Sequence, residues 1–211
     1  MKSKTLTSTV RALSVVLLVS SICAFAQERR PVHFSGLIND YSPATVKGGP
    51  WEMHGQWTLD LRPESSTADF SADMTMSGYG RTATNAVDPT QPGVNPHTHD
   101  IRLTNVTVTW DMTGCPAYAP PLTLTGFQII GTVSVLTGNG SIAPFETDPP
   151  SSTLQVCVTG GDDVQYSVTN SNITLTFGGP ATTHFGTQAI HGVVRKASAD
   201  PFGKEIDKTL Y

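Results

Sequence analysis

The chain has 211 residues, only 14% of them charged, with Gly 19, Pro 15 and a formal net charge of −4. An acidic balance disfavours nucleic acid and anionic membrane surfaces as partners, because both are bound through basic patches. The length suits a single domain with its own core, and the glycine- and proline-rich composition favours strands and turns over packed helices.

Lys2, Lys4 and Arg11 precede an apolar run, Val15–Val19, and small residues then lead to Ala24-Phe25-Ala26. A basic segment, a short apolar segment and an A-x-A site are the layout of a secretory signal peptide. The run is too short for a transmembrane helix, which needs about 20 residues. A signal peptide is therefore expected over residues 1–26, with the mature protein exported to the periplasm or the extracellular space. Cys23 suggests a competing lipid anchor, but Ile22 before it is a poor fit and Ala26 offers the better cut. Cleavage there takes three of the 13 basic residues and none of the 17 acids, so the mature net charge is −7. It also leaves Cys115 and Cys157 as an even pair. In an oxidising compartment they are expected to form a disulfide, closing a loop of about 40 residues and contributing roughly 3–4 kcal/mol.

No stretch of the mature chain repeats apolar residues at helical spacing, so almost no helix is expected. Alternation with a period of two is strong instead. From Trp51 to Arg62 every odd position is apolar or glycine and every even one polar. Thr67–Ser77 repeats the pattern, with Ala68, Phe70, Ala72, Met74 and Met76 facing in. Pro63-Glu64-Ser65-Ser66 makes the two a hairpin. Further strands are expected at Val32–Asn39, Ile101–Met112, Leu122–Leu136, Thr153–Thr159, Val164–Val168, Asn172–Phe177 and Ile190–Lys196. The segment from Ile101 changes phase near Thr104-Asn105, as a β-bulge would cause. Leu122–Leu136 changes phase near Gly126. Gly78–Pro96 and Gly138–Ser152 read as long loops, and residues 196–211 as a polar tail behind a domain of residues 27–195. Long bent strands joined by turns suggest an antiparallel β-barrel of calycin-like plan, with a two-sheet sandwich as the alternative. Asn105, Asn139 and Asn172 each begin an N-x-S/T sequence, which matters only where the host glycosylates exported proteins.

All six histidines lie in the mature part of the chain. His97 and His99 stand at the junction of the long loop and a strand, in phase with Ile101 and Leu103. Strand geometry would put both on the inward face about 6–7 Å apart, close enough to chelate one ion. His184 and His191 form a second pair. Their separation puts them on opposite faces of one strand, although a turn near Gly186 could bring both to one site. Asp100, His54 or His33 could add a further ligand, and zinc or another first-row divalent metal would accept such a set. The His97/His99 doublet resembles the H-x-H of cupins, but the downstream glutamate of that pattern is missing, since Ile101–Thr109 contains no acid. Nor is the ligand pattern of the copper/zinc dismutases reproduced.

No nucleophile elbow, H-E-x-x-H, P-loop or dinucleotide fingerprint occurs. Asp60, Asp69 and Asp73 fall on wet faces. Trp51, Trp57 and Trp110 fall on apolar ones, where core packing is their expected use. Two functions follow as expectations. One is an exported barrel that binds a small molecule or an envelope partner. The other is a metal-dependent enzyme using His97 and His99.

Overall fold

A computed structural model describes residues 31–116, 126–140, 152–159 and 172–198. The signal segment 1–26, the strand read at Val164–Val168 and the tail beyond Ser198 lie outside the described residues. Ten strands follow one another: β1 Val32–Tyr41, β2 Glu52–Arg62, β3 Thr67–Arg81, β4 Val87–Thr109, β5 Gly126–Thr132, β6 Val135–Leu136, β7 Asn139–Gly140, β8 Thr153–Thr159, β9 Asn172–Gly178 and β10 Ile190–Ser198. Every pairing is antiparallel. Eight strands close in a ring, with β3 meeting β4 and β10 returning to β1, while the two-residue β6 and β7 lie along β4. Each strand of the ring is paired on both sides over at least part of its length, which is how a barrel protects an antiparallel sheet from open edges.

Alternation decides what fills the interior. Met53, Trp57, Leu59 and Leu61 of β2 face Met76, Ala72, Phe70 and Ala68 of β3 in register, and all eight are buried. Phe34, Leu103, Phe127, Ile129, Val156 and Leu175 complete a continuous apolar filling. Each large buried side chain contributes on the order of 1.5–3 kcal/mol to folding. Gly36 marks the register shift where β1 meets β10. A Cβ there would lie 1.9 Å from the Val193 carbonyl oxygen and 2.8 Å from the Trp57 indole nitrogen, so only glycine allows this closure.

The expected bulge is present. Ala68 pairs with Val106 and Phe70 with Leu103, leaving an extra residue on β4, and Asn105 takes a left-handed φ of 52°. Its backbone N–H donates to Asp69 Oδ1 at 2.6 Å, and the Arg62 guanidinium holds the same carboxylate through both its terminal nitrogens. These bonds, with that of Arg62 foremost, hold Asp69 below the usual carboxylate range. Met112, Thr113 and Gly114 lead to Cys115, which is bonded to Cys157 of β8 across a separation of 42 residues, with Cα atoms 6.0 Å apart. The Gln128 amide donates to the Asp111 and Thr113 carbonyls and fixes the same loop.

Four expectations need correction. Most of Gly78–Pro96 is strand, because β3 runs to Arg81 and β4 starts at Val87. Its prolines are tolerated because, among the described residues, 87–96 pair on one side only, with β3, and edge positions need no second row of N–H donors. Leu122–Leu136 is not one strand. Within its described part, Val133 and Ser134 break the run, their N–H groups turning to the Ser152 and Arg102 carbonyls. Trp110 is 52% exposed, since β4 ends at Thr109 and the ring lies at the barrel rim, edge-on to Phe127. Finally, β10 continues past Lys196 to Ser198, paired with β1 as far as His33. No helix among the described residues is long and apolar enough to cross a membrane.

Candidate metal centre

One end of the ring is closed by two connections. Between β9 and β10 the chain makes a 3₁₀ turn, Gly179–Ala181, followed by one α-helical turn, α1, Thr182–Phe185. Thr182 and Thr183 donate their hydroxyls to the Gly179 and Pro180 carbonyls at 2.8 and 2.9 Å, tying the turn to itself. Gly186 ends it at φ 87°, and a Cβ there would lie 2.7 Å from Pro43 Cδ. From the β1–β2 connection, Lys47 N–H donates to the Thr183 carbonyl at 3.1 Å. Held on both sides, α1 drives His184 and Phe185 inward. Both are buried, and Phe185 stacks on Phe177 with ring centres 4.3 Å apart.

There His184 meets the inward face of β4. Its Nε2 lies 3.1 Å from His97 Nε2 and 3.1 Å from His99 Nε2. The three rings are at most 2% exposed, and one ligand nitrogen from each falls within a 4.8 Å span. Zinc–nitrogen bonds of about 2.0–2.1 Å at tetrahedral angles place two nitrogens about 3.3 Å apart. The two His184 edges, at 3.1 Å each, are close to that spacing, and the third lies within the 4.8 Å span.

Proton bookkeeping points the same way. His97 Nδ1 donates to the Asn95 carbonyl at 2.9 Å, and His99 Nδ1 donates to the Thr137 carbonyl at 2.5 Å. A carbonyl can only accept, so each ring keeps a proton on Nδ1, and the neutral form of such a ring presents a bare lone pair at Nε2. His184 Nε2 carries at most one hydrogen to offer the two of them. Among neutral rings one of the two close contacts thus sets lone pair against lone pair. A central cation satisfies all three nitrogens, and an outward Nδ1–H bonded to a carbonyl is the usual support of a metal-bound histidine.

Burial keeps the rings available. Desolvation lowers the His99 pKa to about 4, against an opposing push from the Thr137 carbonyl and with help from the nearby His97 ring. Desolvation, then the neighbouring His99 and His97 rings, lowers that of His184 to about 3. At neutral pH both rings are therefore uncharged. Trp51 roofs the cluster, its ring 4.9 Å from His97 and 5.4 Å from His184, with its indole N–H on the Lys47 carbonyl at 3.3 Å. Across the sheet, Met76 is paired with His97 and Met74 with His99, both buried on the same inward face.

Of the four histidines singled out in the sequence, three converge and one does not. His191 lies on the outer wall, where Asp40 Oδ2 accepts from its Nδ1 at 2.6 Å and from its backbone N–H at 2.8 Å. The two do not share a strand, since His184 sits on α1 and His191 on β10, and the turn at Gly186 does not bring them to one site. The other suggested ligands are also outside. His33 pairs with Asp60 at 2.6 Å and His54 with Glu52 at 3.0 Å, while Asp100 lines an outer groove with His54 and Asp73. Sequence reasoning missed the Trp51 roof and the two supporting carbonyls. Backbone acceptors leave no trace in residue identity.

No protein-family model, curated protein or solved structure matches the chain.

Proposed function

We propose that this protein is a metal-holding β-barrel, binding one first-row transition-metal ion through Nε2 of His97, His99 and His184. The observation that carries this reading is the convergence of three buried imidazoles, two of them fixed as Nδ1–H tautomers with their lone pairs turned to a common centre. Imidazole accepts zinc and copper alike. Three protein ligands leave a fourth position, yet the site is roofed by Trp51, and among the described residues no carboxylate or thiolate joins the cluster. That favours holding an ion over processing a substrate, and no reaction is assigned. An apolar ligand in the barrel would need interior space that Phe34, Trp57, Phe70 and Phe127 already fill. The Cys115–Cys157 disulfide supports an oxidising compartment, and so the exported location that the first 26 residues suggest.

The test is elemental analysis of the protein purified from its exported fraction, with thermal unfolding beside it. One equivalent of transition metal per chain is expected, absent from His99→Ala. Stripping the ion should lower the unfolding midpoint by about 10 °C, from roughly 4 kcal/mol of linkage at a thousandfold excess over Kd. Wild-type protein that neither carries nor takes up a metal ion refutes the reading.

A further inference from the structure

We propose that the ion is monovalent copper, with the thioether of Met76 completing the three imidazoles. This rests on the metal-holding reading above and specifies which ion the site prefers.

Charge is the first argument. The donors at the cluster are three imidazoles, and no carboxylate or thiolate joins them among the described residues. The nearby acid in the sequence, Asp100, alternates to the outer face of β4. The site is also dry, with His97, His99, His184 and the covering Trp51 all at or below 3% exposure. The cost of moving an ion out of water rises with the square of its charge, so an uncompensated divalent ion loses about four times as much as a monovalent one. A neutral, buried donor set therefore selects for low charge. Structural zinc sites more often offset the divalent charge with thiolates.

Donor softness is the second argument. Directly opposed residues of an antiparallel pair have Cβ atoms about 4.5–5.5 Å apart on their shared face. Met76 opposes His97, Met74 opposes His99, and Met53 opposes Met76 from the next strand. All three methionines are buried. Three of the five methionines in the chain thus line the same part of the wall as the histidines. The uncharged side-chain donor able to join them there is a thioether, and thioether ligands select monovalent copper. Met76 is the candidate because it is paired directly with His97 on the same inward face and is itself flanked by Met53.

The experiment titrates the metal-free full chain anaerobically with Cu(I) against a chromogenic Cu(I) chelator, and separately with Zn(II). Both titrations are repeated on Met76→Leu, a volume-conserving change in the core. One Cu(I) is expected to bind about 100-fold tighter than Zn(II), with a sulfur scatterer in the copper X-ray absorption spectrum. Met76→Leu should lose that sulfur and about tenfold in Cu(I) affinity. Its Zn(II) affinity and unfolding midpoint should stay at the wild-type values. Equal or tighter Zn(II) binding, or a sulfur signal that persists in Met76→Leu, overturns this proposal and leaves the metal-holding reading standing. Binding of neither ion overturns both.

Discussion

The inner and outer walls of this barrel use histidine in opposite ways. On the outside, His33, His54 and His191 each lie within 3.0 Å of a carboxylate: Asp60, Glu52 and Asp40. On the inside, His97, His99 and His184 have no acid beside them and face one another instead. The outer three keep their carboxylate partners and their contact with solvent. The inner three are dry, and burial lowers the pKa of His99 and His184. For His97 and His99 strand phase alone decides which wall they face, and one residue of slip would turn them outward, whereas α1 carries His184 inward.

The contrast can be broken most sharply by substitution. His97→Ala, His99→Ala and His184→Ala should each abolish stoichiometric metal, while His33→Ala, His54→Ala and His191→Ala should all retain it. Metal retention in an inner variant, measured by elemental analysis, would dissolve the distinction.

Acid should separate the two walls next. In the unfolded chain the inner histidines take up protons near pH 6.5, whereas in the native barrel His99 waits until about 4 and His184 until about 3. Below pH 6.5 the unfolded state therefore binds more protons. Stability falls with pH from 6.5 to about 3, by a few kcal/mol in all, and levels off below that. Denaturant midpoints of the metal-free protein from pH 7 to pH 4 should show this loss. His99→Leu should flatten the curve, whereas His54→Gln should not.

A smaller effect should follow from the support of His184. In Gly186→Ala, a left-handed φ of 87° and a contact at 2.7 Å to Pro43 would push α1 off its seat. A loss of about 1–3 kcal/mol is expected, with weakened metal binding, although no ligand is touched. An unchanged metal affinity would show that α1 does not position His184. The smallest change should come from His54→Gln, which removes an exposed pair and should shift stability by no more than about 0.5 kcal/mol, read from the denaturant midpoint.

The barrel wall was legible because one face of each strand had to be apolar. The β2–β3 hairpin, the bulge at Asn105 and the inward direction of His97 and His99 all follow from that alternation. The Cys115–Cys157 pairing followed from assigning Cys23 to a signal segment, which leaves an even pair of cysteines. Legibility ended where tertiary contacts override local signals. Four residues of helix at Thr182–Phe185 are too short for any period to announce, and their hold on Pro43 and Lys47 comes from a connection more than 130 residues away in the chain. The prolines of residues 87–96 are honest loop signals, and only their position on a one-sided stretch of β4 lets them remain in strand. His191 was grouped with His184 by proximity in sequence, which carries no information across a turn.

The disulfide between Cys115 and Cys157 closes a loop of 42 residues, and it lies in the wall. His99 and His184 are 85 residues apart and meet across the lumen, one from a strand and the other from the connection that shuts the barrel end. An ion shared by them, as proposed, would be a second staple, spanning twice the chain. Since loop-closure entropy grows only by about 0.6 kcal/mol per doubling, its benefit to the closed ring is comparable in kind to that of the covalent bond. It differs in being reversible. The four-strand half of the barrel that carries His99 cannot assemble the centre until β9 and α1 have docked, so occupancy would certify that the last strands have joined the first.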